Sequence, residues 1–400
     1  MKKMNRRRFL GRAAVLCGAP VFAAPSVFGA NERIHIGCIG LGGRGRGDMN
    51  GLMNFPEVRV VAVCDVVGRH RDLAKQTVDR RYNNRACAAE EDFRKVLDRP
   101  DIDAVMIATP DHWHAIIAIE AMKRGKDVFC EKPESLTVRQ GREMVKAARR
   151  YGRVFSGGSQ RVWGDYNWFH KMIWGGAIGK PLEAWVNVGG PSGPCCLPPV
   201  PTPPDVDWDL WLGPAPRRPF HPTLIAGGFR PYRDYSGGGM TDWGCHGFGG
   251  ALFALRLHRT GPVEIIPPDD PEAERLTFVF ANGVRIYHGG GWGGILSFRG
   301  TEGEIPPRKG DRPRAPDVYI PNYKGRGGLL GDFLHCVKTR ERPFRDIEVA
   351  HRTATLCHLG NIAYWIKRRI RWDPEREEIL GDPDAARWLD REMREPWSLT

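Results

Sequence analysis

Two residues with catalytic potential, Asp242 and His246, stand four apart in "GGGMTDWGCHGFGG". If residues 241–249 are helical, that spacing puts the carboxylate and the imidazole on one face. An imidazole titrates near neutrality and can take the proton of a hydroxyl. The carboxylate can orient an alcohol or stabilise the imidazolium. The same pair could instead be two metal ligands, or polar groups satisfied in a core. A metal site needs a third ligand, and the conceivable ones, His112 and His114, lie far back in the chain. No metal is therefore expected.

A third reactive group is Lys132 in "EKP" (131–133), directly after the apolar run "DVFC". "ATPDHWH" (108–114) is placed the same way after "DAVMI". Ligands of open parallel sheets bind along the edge where such strands end. A lysine there would lie beside a nicotinamide ring, where its charged form is disfavoured and it could relay a proton. The partner for it is the glycine loop "GCIGLGGRGRG" after "IHI". Gly40 permits a tight turn, Gly42 lets backbone approach a pyrophosphate, and Gly45 allows helix–strand packing. The phosphates then sit at a helix N-terminus. Asp65 ends the following run, "VRVVAVCD", twenty residues past Gly45. A carboxylate there accepts hydrogen bonds from the adenosine ribose and repels a 2′-phosphate, which favours NAD; Arg69 nearby keeps NADP possible. The cofactor-binding set is Gly40, Gly42, Gly43, Arg44, Gly45, Asp65, Thr109, Pro110, His114, Glu131 and Lys132.

These groups need a scaffold, and residues 34–158 supply one. Short apolar runs at 34–40, 58–65, 103–109, 127–132 and 153–158 alternate with helical patterns. "DHWHAIIAIEAMKRG" has Asp111 as a candidate N-cap, and "TVRQGREMVKAARRYG" opens on a Thr137/Gln140 capping box. Continuous apolar strands between helices predict a doubly wound parallel sheet, a Rossmann α/β domain over 31–157. The pattern then changes. Residues 191–222 are proline-rich with Trp208 and Trp211 to bury, and "TFVFANGVRIYH" reads as strand, Asn-Gly turn, strand. Residues 304–324 form another proline-rich loop, and "VAHRTATLCHLGNIAYWIKRR" is helical. Residues 158–400 are thus expected to be an α+β substrate domain.

The chain of 400 residues carries a formal charge of +13. Six lysines and arginines precede residue 31 with no acid among them, so about half the excess lies outside the expected folded domains. The remainder is scattered, which fits a solvated basic surface and not a nucleic-acid groove. Residues 1–30 read as an export signal: a basic start, an apolar stretch too short and too Ala/Gly-rich for a membrane span, and small residues at Gly29 and Ala30. Arg6-Arg7-Arg8-Phe9-Leu10 looks like a twin-arginine signal, implying a periplasmic protein exported folded. Cys38, Cys64 and Cys130 fall in strand-like runs and are expected to be buried thiols. Cys195 and Cys196 are adjacent in a loop, and no cysteine spacing matches a zinc motif.

Taken together, "ATPDHWH…GKDVFCEKP", "DWDLWLGPAP" and "GGGMTDWGCH" resemble the Gfo/Idh/MocA family (glucose–fructose oxidoreductase, inositol dehydrogenase and rhizopine catabolism) in its exported branch. The likeness runs over nearly the whole chain after the signal. It implies a C-terminal domain with a large open mixed sheet, commonly used for oligomer contacts, hence a dimer or tetramer. It implies hydride transfer between NAD(P) and a sugar or cyclitol carbon. It assigns Lys132, Asp242 and His246 as the catalytic set, with Asp242 and His246 also on the substrate side. Gln160 in "GGSQR" resembles a position near the nicotinamide, and Arg161 and Tyr235 are candidate substrate residues. One departure stands out: many relatives continue H-x-x-D, and this chain has Gly249 there.

Export has a chemical consequence. Outside the cytoplasm no free NAD pool regenerates the cofactor, so it must be held tightly and returned to its starting state each cycle. Oxidising one sugar while reducing another does this. So does a transient keto sugar that acidifies a neighbouring C–H, eliminates a glycosidic group and is then reduced. A non-catalytic sugar-binding protein is the third reading.

Overall fold

The computed structural model describes residues 33–399. The signal-like residues 1–30 lie outside the described residues. Among the described residues no helix is long and apolar enough to cross a membrane.

The first domain is a six-stranded parallel sheet. In chain order its strands are β1 (Ile34–Ile39), β2 (Val58–Cys64), β3 (Ala88–Glu90), β4 (Ala104–Ile107), β5 (Asp127–Cys130) and β6 (Phe155–Gly157). Their spatial order is β3-β2-β1-β4-β5-β6. The order reverses between β1 and β4, so their C-terminal ends open a crevice at the switch point. β4 and β5 are buried at every residue, as a sheet covered on both faces requires. Helices α1 (Gly43–Leu52), α2 (Gly68–Tyr82), α3 (Phe93–Leu97), α4 (Asp111–Lys123) and α5 (Val138–Arg150) provide the cover.

The two helix starts behave differently. At α5 the Thr137 hydroxyl accepts from the Gln140 N–H at 3.2 Å, as the capping box predicts. The Gln140 side chain reaches back to the Leu136 N–H, at 3.0 Å, one residue earlier than expected. At α4 the capping position falls to Pro110, and Asp111 is the first helical residue with no capping bond. Proline at the boundary fixes an extended approach, and the Asp111 side chain is released from the capping role.

The second domain is built on an eight-stranded mixed sheet, whose edge-to-edge strands begin at Glu304–Ile305 and Leu296–Gly300, continue through Pro181–Val186, Arg285–His288, Thr277–Val279 and Glu264–Ile266, and end at Ile370–Asp373 and Glu378–Ile379. Among the described residues of this sheet, only the pairing of Arg285–His288 with Pro181–Val186 is parallel. The Asn-Gly turn forms as predicted, with Gly283 at φ +85° and the Val284 N–H donating to Asn282 Oδ1. Two helices cover the inner face: Gly244–Ala254 and the long Ile347–Ile366, which packs on α5 as well. The chain also returns to the first domain. Leu329, Phe333 and Leu334 join the core beneath β1, and Trp397 packs edge-on against Trp113, with ring centroids 4.6 Å apart. The 191–222 loop buries Trp211 and stacks Trp208 on it.

Candidate active site

A cavity of about 540 Å³ lies along the C-terminal edge of the parallel sheet and runs to the second domain. At its base is the glycine loop. Gly40 sits at φ +83°, and a Cβ there would fall 2.5 Å from the Thr109 nitrogen. A Cβ on Gly45 would fall 1.9 Å from the Gly40 carbonyl oxygen, so α1 can approach β1 only with glycine there. At Gly42 and Gly43 a Cβ would meet nothing within 4 Å. That side is open cavity, and no side chain caps α1. Open space in front of free helix-N-terminal N–H groups is what a pyrophosphate occupies. Thr109 Oγ1 and Gln160 Oε1 are buried without hydrogen-bond partners in the same cavity wall. The residues present therefore fit a dinucleotide.

Asp65 lines this cavity, but its carboxylate already serves the backbone. Oδ2 accepts from the Leu41 N–H at 2.6 Å and Oδ1 from the Val67 N–H at 2.8 Å. It thereby pins the glycine loop to the end of β2. Arg69 pairs with Asp205 at 3.3 Å and is absent from the cavity wall. Arg44 bridges two carboxyls, Asp48 at 2.7 Å and Glu131 at 2.9 Å. One guanidinium cannot neutralise both in a buried place: burial, then Glu131, pushes Asp48 up to about 8, and burial raises Glu131 too. His114 ties two turns together, Nδ1 at 2.8 Å from the Pro133 carbonyl and Nε2 at 2.8 Å from that of Thr109. Burial lowers it to about 4, so the neutral ring donates to only one of them.

The expected catalytic set comes together above this floor. Asp242 ends a short helix, Gly239–Asp242, and His246 lies in Gly244–Ala254. Trp243 between them has right-handed helical φ and ψ, so both side chains reach the cavity. Lys132 Nζ pairs with Asp242 Oδ1 and donates to the Asp242 carbonyl at 3.0 Å. Arg230 Nε adds a second cation 3.1 Å from the same carboxylate oxygen. Burial opposes the Asp242 charge, but these two cations outweigh it and lower the carboxyl below its ordinary value. Asp242 is thus committed to cations, and the His246 ring is held from elsewhere.

That support is Ser159, just after β6. Its hydroxyl lies 2.8 Å from His246 Nδ1 and donates to the Cys245 carbonyl at 2.9 Å. A serine has one proton. With it given to the carbonyl, Oγ accepts from Nδ1–H, and the Nε2 lone pair is left for the cavity. Burial first, then Lys132 and Arg161, lowers His246 to about 3. The imidazole is neutral over the whole physiological range.

Gln160 and Arg161 also line the cavity, and Arg161 lies over the Trp243 ring at 5.0 Å. Tyr235 is not brought there. It is fully buried, packed on Trp211 and His112 with centroids 5.0 and 5.3 Å away, so its place is the core of the 191–235 loop. His112 turns from the cavity to the Trp211 carbonyl. Among the described residues no group of three His, Cys, Asp or Glu is positioned to hold a metal ion. Cys38, Cys64 and Cys130 are buried free thiols, and Cys195 and Cys196 are free, with Cys196 exposed. At Gly249 a Cβ would fall 2.9 Å from Val162 Cγ2 and 3.7 Å from Arg345 Nη1, so packing already fills the place where a larger side chain would stand. Asp111, which the sequence reads only as a helix cap, and Ser159, Arg230 and Trp243, to which it gives no role, are further wall and support residues of the site.

Comparison with known proteins agrees with this geometry. The oxidoreductase family described by its NAD-binding Rossmann fold matches residues 34–159. The C-terminal alpha/beta domain of the same family matches residues 169–399. A glycosyl hydrolase family 109 protein of Shewanella pealeana is 32% identical over 172 residues, and one of Saccharopolyspora erythraea is 36% identical over 129. Those stretches span only 38% and 28% of the relatives' own lengths. Among solved structures, the aldose-aldose oxidoreductase of Caulobacter crescentus superposes with a TM-score of 0.60 at 19% identity, over 85% of this chain and 99% of that one. The myo-inositol 2-dehydrogenase of Lactobacillus plantarum does so with 0.58 at 18% identity, over 85% and 99%. These two likenesses are of fold.

Proposed function

From membership of this chain in the Gfo/Idh/MocA oxidoreductase family, with its NAD-binding Rossmann domain, we propose that the protein oxidises and reduces a hydroxyl-bearing carbon of a sugar or cyclitol. Bound NAD, or NADP, would supply the acceptor for the hydride leaving that carbon. The observation that carries the reading is one cavity joining the glycine loop, Lys132, Asp242 and His246.

The roles follow from what each group is free to do. His246 presents the Nε2 lone pair and accepts the hydroxyl proton. Its burial makes the imidazolium costly, so the proton is released from Nε2 to water in the cavity and not stored. Lys132, held by Asp242, places a positive charge where an alkoxide develops. Arg230 keeps Asp242 ionised and Lys132 oriented. Gln160, Arg161 and Trp243 form the wall facing the substrate.

The twin-arginine-like segment supports export to the periplasm, and export supports a tightly held, recycled cofactor. Under that condition a second reading gains weight, cleavage of a glycoside through a transient keto sugar. It is favoured by the glycosyl hydrolase family 109 names of the curated relatives. Self-association as a dimer or tetramer rests on the family resemblance alone.

Mass spectrometry of nucleotide released from the native protein, followed by a sugar panel read at the NADH absorbance, tests the proposal. Retained NAD and a sugar-dependent change in NADH support it. Phenol release from aryl glycosides without net NADH moves the assignment to cleavage. Unchanged activities in His246→Ala would favour a binding protein.

A further inference from the structure

Asp111 is 3% exposed, lines the cavity, and has an Oδ2 with no hydrogen-bond partner. A buried polar oxygen without a donor costs free energy that folded proteins rarely leave uncompensated. The helix it begins does not use it, because the capping position went to Pro110. The cations within electrostatic reach, Lys132 and Arg230, are both paired with Asp242. The buried Ser236 hydroxyl hydrogen-bonds the carboxyl, and Asp242 is an anion within the same reach. Burial, against the Ser236 hydrogen bond and the pull of those cations, raises the carboxyl to about 7.

Ser236 supplies one donor to the carboxyl, and a ligand in the cavity can supply the donor that Oδ2 lacks. A cation is disfavoured by Lys132 and Arg230 alongside, and the described residues around Asp111 form no metal-binding group. A neutral hydroxyl suits the site, since it donates to a carboxylate and also accepts from a protonated carboxyl. Lys132, Asp242 and His246 are assigned to the hydroxyl that reacts, so this hydroxyl is a second one.

We propose that Asp111 is a substrate-binding residue that holds a second hydroxyl of the substrate, so that the cavity selects polyhydroxylated molecules over simple secondary alcohols. The inference rests on the oxidoreductase reading above and adds the residue that sets its specificity. A site built around a hydroxyl rejects the analogue lacking it, because its own polar group is then left buried and unpaired.

The test uses the full chain after signal removal, loaded with NAD, and a panel of aldoses, methyl glycosides and myo-inositol with their monodeoxy analogues. In Asp111→Ala the KM of the best sugar should rise by about 10- to 100-fold, the worth of one hydrogen bond to a charged group. NAD affinity and melting temperature should stay near native. For one monodeoxy analogue, native and variant should perform alike, because the partner hydroxyl is already gone. Asp111→Asn keeps the shape and should give a smaller loss on the same hydroxyl, which covers the case of an unfolded alanine variant. Equal losses on every analogue, or none, in a folded NAD-binding variant would overturn the assignment while leaving the oxidoreductase reading intact. If the native protein oxidises no sugar, that reading fails. Binding of the same panel is then followed by saturation-transfer NMR. A signal lost in Asp111→Ala supports the hydroxyl site; a signal kept, or absent from both, overturns it.

Discussion

Replacing Ser159 by alanine should disable His246 without touching any group that meets substrate. The Nδ1–Oγ contact is 2.8 Å and buried, and Oγ has no second proton to give. Without it, an Nδ1–H would be buried and unpaired, at a cost of about 1–3 kcal/mol. The ring escapes by carrying its proton on Nε2, on the side of the cavity that His246 lines. That fills the lone pair needed to take the hydroxyl proton. A bias of about 1–3 kcal/mol depletes the competent tautomer roughly 5- to 150-fold, so kcat should fall by that factor with NAD affinity unchanged. Long-range 15N–1H NMR on histidine-labelled protein reads the tautomer directly, with His246→Ala assigning the signal. The reasoning is refuted if Nδ1–H persists in Ser159→Ala, or if the tautomer switches and kcat does not fall.

Two glycine variants separate folding from binding. Gly45→Ala should lower the melting temperature and abolish NAD retention, since its Cβ would meet the Gly40 oxygen at 1.9 Å; Gly42→Ala should fold normally and lose only NAD affinity, measured by fluorescence titration. Stability should fall as pH drops from 6.5 towards 4. His112, His114 and His258 are lowered to about 4, and His170, His246 and His358 to about 3, each by burial, so each contributes stability above its unfolded value that is lost on acidification. Asp48 and Asp111, raised to about 8 and 7, and Glu131, Glu134 and Asp332, also raised by burial, act in the opposite sense. At up to about 1.4 kcal/mol per group per pH unit the lowered histidines, His288 and His351 among them, outnumber these acids, and melting curves at pH 7, 6 and 5 check this. Gly249→Asp should melt above Gly249→Ala: both crowd Val162, but only aspartate can pair with the buried Arg345, whose Nε and Nη2 have no partner; the reverse order would remove Arg345 from the account.

The legible parts of this molecule were those decided within one segment. The glycine loop could be read because each glycine answers a local demand, a positive φ at Gly40 and a close approach at Gly45. Lys132 could be placed because a strand end fixes it on the sheet edge. The Asp242/His246 spacing carried through, since Trp243 keeps helical geometry between two short helices. What failed or was missed depends on loops returning across long sequence separations. Tyr235 sits beside Gly237, Gly238 and Gly239 in sequence, yet the 191–235 loop needs an aromatic for its own core, and burial took it. Asp111 looked like a helix cap until Pro110 took the position. No local pattern marks Ser159 or Arg230. Each matters through a partner from a distant segment, Ser159 at His246 and Arg230 as the second cation on a carboxylate already paired with Lys132.

This division also decides which residue can report on chemistry. Lys132 comes from the first domain and Asp242 from the second, so their ion pair is a domain contact as well as part of the site. Removing Asp242 would leave Lys132 and Arg230 without the carboxylate they share, with Asp111 and Glu131 among the remaining acidic groups beside Lys132. Loss of activity in Asp242→Ala would then mix lost catalysis with domain displacement and a changed Asp111 charge. His246 is different. Among the described residues its ring is held by Ser159, on the segment joining the two domains, and burial keeps the ring uncharged near pH 7. His246→Ala removes a proton acceptor without unbalancing any ion pair, so a fall in kcat there, with the melting temperature and NAD affinity held, assigns the step to the imidazole in a way that no variant of Asp242 can.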